Sequence, residues 1–222
     1  MAIFDQAAIE YDSWYLTDAG KHVLEVENNL LLKIIGDVSN LKVLDVGCGT
    51  GIHSKVVSDL GNDVIGVDLS DEMLKVAIKK ANTNLSFLKM DSTNLLFSDN
   101  TFDLVISLAM IEFVRDPLKV LKEAFRVLKP GGVLVIGTIQ KGSKFAEMYE
   151  SKVFQDNTVF KYASFYTKEE LKNMYPGFYV SSKECLFNSY EEILNNPTLD
   201  DLENGIGSFI IHKWIKGDEK NE

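Results

Sequence analysis

Carboxylates and a glycine-rich turn follow two of the most apolar segments of the sequence. In VLDVGCGTG, residues 43–51, Asp45 precedes three glycines that alternate with other residues. Glycine lets a backbone approach a ligand without a Cβ in the way, and the helix expected after the turn offers free N–H groups to an anion. Asp68 ends the next apolar segment. Because a carboxylate can accept from two hydroxyls at once, Asp68 suits a ribose, and the pattern indicates an adenosine-type ligand.

The spacing of the glycines limits which binding motif this is. A dinucleotide-binding fold would read G-x-G-x-x-G. Here the glycines are Gly47, Gly49 and Gly51, and Ile52 stands where the last glycine of that pattern would fall. The sequence also lacks a G-K-[ST] motif, so a phosphate-binding P-loop is not expected. Glycine spacing alone leaves the ligand open.

Short apolar segments alternate along the chain with segments of helical periodicity. Five are almost continuously hydrophobic, as strands buried on both faces of a parallel sheet are: residues 42–46, 63–67, 85–89, 102–107 and 132–137. Two final strands are predicted at residues 178–187 and 208–215. The alternation favours right-handed crossovers, with a ligand crevice at the carboxyl ends of the strands.

Capping residues indicate where the intervening helices begin. Ser70 is a predicted N-cap, and Pro117 suits the first turn of a later helix. Thr167 and Glu170 have the spacing of a capping box. After Ser70, helical spacing predicts one buried face, formed by Leu74, Ala77, Ile78 and Ala81.

Charge and cysteine content exclude several classes of protein. The 33 acidic and 23 basic residues give a net charge of −10, which on average repels nucleic acids and anionic membranes. The two cysteines, Cys48 and Cys185, exclude a disulfide scaffold and favour a reducing compartment. The N-terminus lacks the pattern of a secretory signal, and the three histidines lack metal-ligand spacing. We therefore expect a cytoplasmic protein, a monomer or weak homodimer, with a small-molecule substrate and no metal.

Five short motifs occur in the order and spacing of a known family. DVGCGTG, VDLS, KMDS, FDLVIS and LKPGG follow one another within residues 40–140. As a set they resemble the class I S-adenosylmethionine-dependent methyltransferases, in the small-molecule type 11 branch that includes ubiquinone- and menaquinone-pathway enzymes. The N-terminal segment FDQAAIEYDSWYLT is similar to that branch as well.

The resemblance implies an α/β fold. Its sheet would be doubly wound, Rossmann-like and mostly parallel, with seven strands of which the last is antiparallel, helices on both faces and a small helical lid. A single methyltransferase domain, residues 1–222, would have four parts. These are an N-terminal helical cap (1–40), a cofactor-binding core (41–138), a lid insertion (139–177) and C-terminal strands (178–222).

The resemblance also assigns the methionine and ribose parts of S-adenosylmethionine to particular residues. Asp45 and the loop at residues 47–51 would hold the methionine ammonium and carboxylate. The carbonyl of Leu108, just past the fourth predicted strand, would accept from the ammonium. Asp68 would take the ribose hydroxyls, which agrees with the chemistry of a carboxylate at that position.

Four further residues would surround the adenine. Leu69 and Met73 would pack against the ring. Asp91 would accept from the exocyclic amine, and the backbone N–H of Ser92 would donate to the ring. Taken alone, Asp91 is also compatible with an exposed acid in a loop, whereas within the set of motifs a binding role is favoured.

Two groups of residues keep alternative interpretations. Tyr11, Trp14 and Tyr15 either close over the cofactor, where aromatic faces suit a sulfonium cation, or pack an N-terminal helix. Glu112 either faces the substrate or is a solvated acid at a helix start. Tyr15 and Glu112 are the candidates for a general base, which is needed only if the acceptor must lose a proton.

The function implied is methyl transfer from S-adenosylmethionine to a small-molecule acceptor, releasing S-adenosylhomocysteine. The alternatives are a non-catalytic S-adenosylmethionine-binding regulatory module, an aminopropyltransferase-type enzyme and a nicotinamide-dependent oxidoreductase. Aromatic residues in the predicted lid favour an apolar or flat acceptor: Tyr149, Phe154, Phe160, Tyr162 and Phe165.

Overall fold

Seven strands form one sheet in the computed structural model, which describes residues 3–217. In chain order they are β1 (Lys42–Val46), β2 (Asp63–Asp68), β3 (Leu85–Lys89), β4 (Phe102–Leu108), β5 (Leu128–Ile139), β6 (Tyr179–Cys185) and β7 (Phe209–Ile215). Across the sheet the order is β3-β2-β1-β4-β5-β7-β6. The pairs among β1 to β5 are parallel, whereas β7 is antiparallel to both β5 and β6. The predicted fold class is confirmed.

Helices cover both faces of this sheet. In chain order they are α1 (Ala8–Trp14), α2 (Asp18–Ile35), α3 (Ile52–Ser58), α4 (Asp71–Ala77), α5 (Pro117–Val127), α6 (Lys144–Glu150), α7 (Lys152–Asn157), α8 (Lys168–Met174) and α9 (Tyr190–Asn195). Neighbouring strand residues point to opposite faces. Val43 of β1 therefore belongs to the core that α2 covers, and Leu44 to the core that α5 covers. Burial on both sides explains the almost continuous hydrophobicity of the strands.

The predicted strands are all present, with differences at their ends. β1 and β3 have the predicted bounds, whereas β5 begins at Leu128 instead of at residue 132. Leu128 pairs with Phe102 before a shift in register, and the pairing resumes at Leu104 and Val133. Pro130, Gly131 and Gly132 lie inside this irregular strand.

The predicted helix starts are confirmed, but one buried face is not. The Ser70 hydroxyl accepts from the Met73 backbone N–H, and Thr167 and Glu170 form a capping box. The helix after Ser70 ends at Ala77 and tightens into a 3₁₀ turn, Ile78–Lys80. Leu74 and Ala77 are buried as predicted, whereas Ile78 is 58% exposed and Ala81 is exposed too, because the change to three residues per turn ends the repeat of 3.6 on which the prediction rests.

The sheet has its switch point beside β1, whose neighbours are β2 and β4. In α/β sheets this is the edge where ligands bind. Of the predicted N-terminal cap, α2 belongs to the core layer, since Val23 and Leu31 are buried with the strand residues. The residues around α1, among them Phe4 and Tyr15, line the space at the carboxyl ends of the strands. No helix within residues 3–217 has the length and hydropathy needed to cross a bilayer.

Candidate active site

A first cavity of about 630 Å³ opens at the carboxyl ends of β1, β2 and β4. It brings together most of the residues that the sequence predicted for the cofactor site: Tyr11, Tyr15, Asp45, Gly47, Gly49, Asp68, Leu69, Met73, Asp91, Ser92 and Leu108. Gly51 and Trp14 do not line it. The three carboxylates come from the ends of three different strands, so the parallel sheet is what gathers them on one rim.

The three glycines of the glycine-rich turn all have positive φ, but what a Cβ would meet differs between them. Gly47 has φ +72°, and a Cβ there would lie 2.2 Å from Met110 Cγ. Gly51 has φ +79°, and its Cβ would lie 2.5 Å from the Phe87 ring, so Gly51 serves packing. Gly49 has φ +53° with nothing within 4 Å of a Cβ, and it faces the first cavity. At Gly49, therefore, no side chain separates the backbone from a ligand in the cavity.

Asp68 joins the end of β2 to the glycine-rich turn. Its Oδ2 accepts from the Gly49 backbone N–H at 2.9 Å, and its Oδ1 accepts from the Ser70 backbone N–H at 2.8 Å. Burial raises the pKa of Asp68, and these hydrogen bonds lower it in part. The carboxylate is thus oriented by the backbone and still lines the cavity.

Asp45 is a buried acid beside the same cavity. It is 2% exposed and accepts a hydrogen bond from the Ser54 hydroxyl at 2.5 Å. Burial raises the pKa of Asp45 to about 7, and the charge of Asp68 adds to this. Asp45 forms no ion pair with any residue of the described chain. A positively charged ligand group would favour its ionised form.

Residues after β2 and β3 complete the wall. Asp91 is exposed at the mouth of the cavity, and its Oδ1 accepts from the backbone N–H and hydroxyl of Thr93, each at 2.8 Å. Met73 is buried and Leu69 is half exposed, and both present apolar surface to the cavity. An apolar slot with an acceptor at its rim suits a flat heterocycle with an amino group.

The N-terminal segment is tied over the first cavity by two polar contacts. Ser70 Oγ donates to Asp5 Oδ1 at 2.6 Å. Lys80 Nζ lies 2.5 Å from Asp12 Oδ2 on α1 and donates to the Thr50 carbonyl at 2.9 Å. The same lysine therefore holds α1 and the glycine-rich turn together.

A second cavity, of about 410 Å³, lies on the other side of α1. The two cavities share the residues Phe4, Tyr11, Tyr15, Ala109 and Phe113 in their walls. Trp14, predicted beside the cofactor, lines the second cavity instead, where its Nε1 lies 3.4 Å from the Tyr190 hydroxyl. A helix turns by 100° per residue, so neighbours on α1 face different spaces.

Two carboxylates line the second cavity. Glu112 is 1% exposed, so its interpretation as a solvated acid at a helix start is wrong. Burial raises its pKa to about 7, and the polar groups of Thr138 and Ile139 offset only part of this. Glu27 of α2 was not predicted, and burial together with the charge of Glu112 raises its pKa to about 8. The available signal was an acid four residues after Val23, on the buried stripe of α2.

Three of the five lid aromatics that predicted an apolar or flat acceptor line this cavity, and Phe145 of the same segment lines it as well. Tyr149, Phe154 and Phe160 line it, whereas Tyr162 is exposed and Phe165 is in the core.

Within residues 3–217, no group of three or more His, Cys, Asp or Glu residues is arranged to hold a metal ion.

Comparison with known proteins identifies the family. A family model for a methyltransferase domain matches residues 44–136. An uncharacterized protein of Methanocaldococcus jannaschii is 34% identical over 174 residues, which are 78% of each chain. The chain belongs to the class I S-adenosylmethionine-dependent methyltransferases. The family, enzyme class and cofactor predicted from the sequence are confirmed.

Other methyltransferases show how far the similarity extends. A demethylmenaquinone methyltransferase of Renibacterium salmoninarum is 38% identical over 140 residues, or 61% of this chain and 56% of the relative. The chain thus spans little more than half of that relative. An S-adenosylmethionine-dependent methyltransferase of Thermotoga maritima, a possible histamine N-methyltransferase, superposes with a TM-score of 0.78 at 26% identity, over 96% of this chain and 98% of its own.

The first cavity of this methyltransferase fits S-adenosylmethionine by its donor set. Asp45 is a buried carboxylate that forms no ion pair within residues 3–217, and the cofactor carries an ammonium. Asp68 is an oriented acceptor suited to ribose hydroxyls, and the bare backbone of Gly49 leaves room for the ligand. The Leu69 and Met73 surfaces suit the adenine.

Proposed function

We propose that this methyltransferase transfers the methyl group of S-adenosylmethionine to a small-molecule acceptor in the second cavity. The observation that carries the proposal is that two neighbouring cavities share Tyr11, Tyr15 and Ala109 in their walls. One cavity has the donor set for the cofactor, and the other is a separate, largely apolar space of about 410 Å³, a size ordinary for small-molecule sites. A module that only bound the cofactor would need no second cavity.

In this proposal the cofactor is held by residues around the first cavity. Asp45 and the loop at residues 47–51 bind the methionine end with the Leu108 carbonyl, and Asp68 binds the ribose. The position of these residues in one wall supports the assignment. The adenine lies among four residues after β2 and β3: Leu69, Met73, Asp91 and Ser92. The bound cofactor supplies an activated methyl group on a sulfonium, which is a good leaving group.

The chain itself positions the two reactants and keeps water away from them. Holding two reactants in line is worth about 7–11 kcal/mol in well-aligned systems, so no protein nucleophile is needed. Tyr11 and Tyr15, at the boundary of the cavities, face the region where methyl group and acceptor meet. The apolar walls exclude water, which strengthens the electrostatic contacts that remain. Residues 139–177, as a lid, shape the acceptor space from one side.

Calorimetry and product analysis test the proposal. The purified protein should bind S-adenosylhomocysteine and not NADH, and it should form S-adenosylhomocysteine from S-adenosylmethionine when an acceptor panel is added. Binding without turnover over the whole panel would favour a regulatory module. Turnover with the decarboxylated cofactor alone would favour aminopropyl transfer, and binding of NADH alone would contradict the proposal.

The similar methyltransferases do not select the acceptor. Their names refer to unlike molecules, a demethylmenaquinone for one and histamine as a possible substrate for another. The acceptor must therefore be argued from the chemistry of the second cavity.

A further inference from the structure

The second cavity carries two acidic side chains and no basic one. Glu27 and Glu112 line it, and none of the described residues in its wall is Lys, Arg or His. We propose that it receives a protonated amine with an apolar or aromatic body, and that the amine nitrogen is the methylated atom. The inference rests on the proposed function and adds the acceptor's chemical class and the roles of Glu27 and Glu112.

Glu112 is the strongest indication of a cationic ligand. Both of its carboxylate oxygens are buried, and neither forms a hydrogen bond of ordinary geometry with residues 3–217. Buried polar atoms in folded proteins nearly always have partners, because a bare buried carboxylate is costly. Glu112 lines the cavity, so a group inside the cavity can be that partner.

Glu27 reaches the same space from a different element. It lies on α2, whereas Glu112 lies in the 3₁₀ turn Ile111–Phe113 after β4. Besides burial, the charge of Glu112 is what raises the pKa of Glu27, so the two carboxylates repel each other. An ammonium group near both would replace this repulsion by two attractions.

The rest of the wall suits the body of such a ligand. Tyr149 and Phe160 are stacked with centroids 3.6 Å apart, and Trp14 meets Tyr15 edge to face at 4.7 Å. Aromatic faces attract cations, and they also pack against flat or apolar groups. Aromatic side chains make up about half of the described lining of this cavity.

Other acceptor classes fit these charges less well. A carboxylate or phosphate would be repelled by Glu27 and Glu112 and would find no cation in the described wall. A phenol becomes negatively charged as it gives up its proton, next to groups that disfavour that charge. An amine brings a positive charge into the cavity and is neutral when it reacts.

The chemical step balances with the groups present. An ammonium has no free electron pair, so one proton passes from its nitrogen to the carboxylate of Glu112 or Glu27. The nitrogen lone pair then forms the N–C bond as the C–S bond of the sulfonium breaks and its electrons stay on sulfur. The products are a methylated ammonium and a neutral thioether, and the carboxyl proton returns to solvent.

Matched ligands test the charge requirement. The protein saturated with S-adenosylhomocysteine is titrated with 2-phenylethylamine, 2-phenylethanol and 3-phenylpropionate, and with the corresponding indole series. Since a hydrogen bond to a charged group is worth about 1.5–3 kcal/mol, the amine should bind about 10- to 150-fold more tightly than the alcohol. With S-adenosylmethionine present, mass spectrometry should locate the new methyl group on nitrogen.

Variants test which residues carry the preference. Glu112→Gln and Glu27→Gln should each reduce the preference for amine over alcohol and leave S-adenosylhomocysteine affinity unchanged. Glu25→Gln, an exposed position on the same helix, is the control and should behave as the parent protein. Thermal melting of each variant shows whether it is folded. If Glu112→Gln does not fold, Glu27→Gln is the variant that tests the preference.

The outcomes separate the inference from the proposed function. Loss of the preference in a folded variant supports the amine site. Equal binding of amine and alcohol in both series, or methylation on another atom, would overturn the inference of an amine acceptor. If S-adenosylhomocysteine still binds in that case, the proposed function stands. Failure to bind S-adenosylhomocysteine would instead contradict the proposed function.

Discussion

The backbone N–H of Gly49 donates a hydrogen bond to Asp68 Oδ2, with nitrogen and oxygen 2.9 Å apart. This contact joins the turn after β1 to the end of β2, at the edge where the strand order reverses. Asp68 therefore fixes the shape of the glycine-rich turn and also presents its carboxylate to the first cavity. Two different substitutions separate these roles.

Replacing Asp68 should weaken cofactor binding. Asp68→Ala removes a charged acceptor for ribose hydroxyls and the contact with Gly49, so S-adenosylhomocysteine should bind about 30- to 150-fold more weakly, a loss of about 2–3 kcal/mol by calorimetry. Asp68→Asn keeps an oxygen for Gly49 and should bind more tightly than Asp68→Ala. Asp63→Ala, at the exposed opposite end of β2, is the control, and an unchanged affinity in Asp68→Ala would remove the ribose assignment.

Two glycine substitutions separate backbone strain from ligand contact. Gly49 and Gly131 both have positive φ and nothing within 4 Å of a Cβ, but only Gly49 lines the first cavity. Each change to alanine should destabilise the protein by about 1–2 kcal/mol. Calorimetry should show strong loss of S-adenosylhomocysteine binding for Gly49→Ala alone. Equal affinity in the two variants would mean that Gly49 does not approach the cofactor.

The contacts of Lys80 should control how firmly α1 closes the first cavity. Lys80→Met removes the ion pair with Asp12 and the hydrogen bond to Thr50. Since such contacts contribute about 0.5–1.5 kcal/mol, S-adenosylhomocysteine should dissociate about 2- to 10-fold faster in stopped-flow measurements. Lys75→Met, which breaks an exposed pair with Glu72, is the matched control. The same dissociation rate in both variants would exclude this role.

Without ligands, the buried carboxyl groups should lower the protein's stability as pH rises from about 5 to 8, whereas His53 and His212, whose pKa values burial lowers to about 4, act in the opposite direction below about pH 6.5. Burial raises the pKa of Glu112 from its ordinary value to about 7, so between those values the unfolded chain has released a proton that the folded chain retains. Unfolding is then favoured by rising pH, by at most about 1.4 kcal/mol per pH unit for one group. Asp45 and Glu27 add in the same direction, since burial raises their pKa values to about 7 and about 8.

Thermal melting of Glu112→Gln over this pH range checks whether the contribution of Glu112 to stability falls as pH rises. The variant should melt at a higher temperature than the parent protein at pH 8 and differ little at pH 5, because the amide cannot ionise. The other titratable groups that act on this space are Glu27, Tyr11, Tyr15 and Tyr149. A melting temperature of Glu112→Gln that changes with pH just as the parent protein's does would contradict the raised pKa of Glu112.

Sequence patterns predicted the features that depend on the order of elements along the chain or on residues close in sequence. Strand ends of a parallel sheet must meet at one edge, so the order of strands along the chain is enough to place Asp45, Asp68 and Asp91 together. Ser70 and Thr167 were found because capping depends on neighbours three residues away.

The placement of the other site residues depends on how helices are rotated and on tertiary packing, which local sequence patterns do not contain. Trp14 faces the second cavity because of how α1 is turned, and Gly51 is required by Phe87 from a distant strand. Glu27 lies on a helix that is otherwise an ordinary amphipathic one, so its importance emerges only once Glu112 is opposite it in the same cavity.

The two cavities draw their walls from different stretches of the chain. Most of the first lies within residues 44–136, whereas most of the second comes from α1, α2 and the chain after β5. Under the proposed function, substitutions at outer positions that line only the second cavity, such as Met148 and Val159, should change which molecule is accepted and leave recognition of the shared cosubstrate intact. Such a layout would let acceptor specificity diverge while the chemistry at the other cavity is retained.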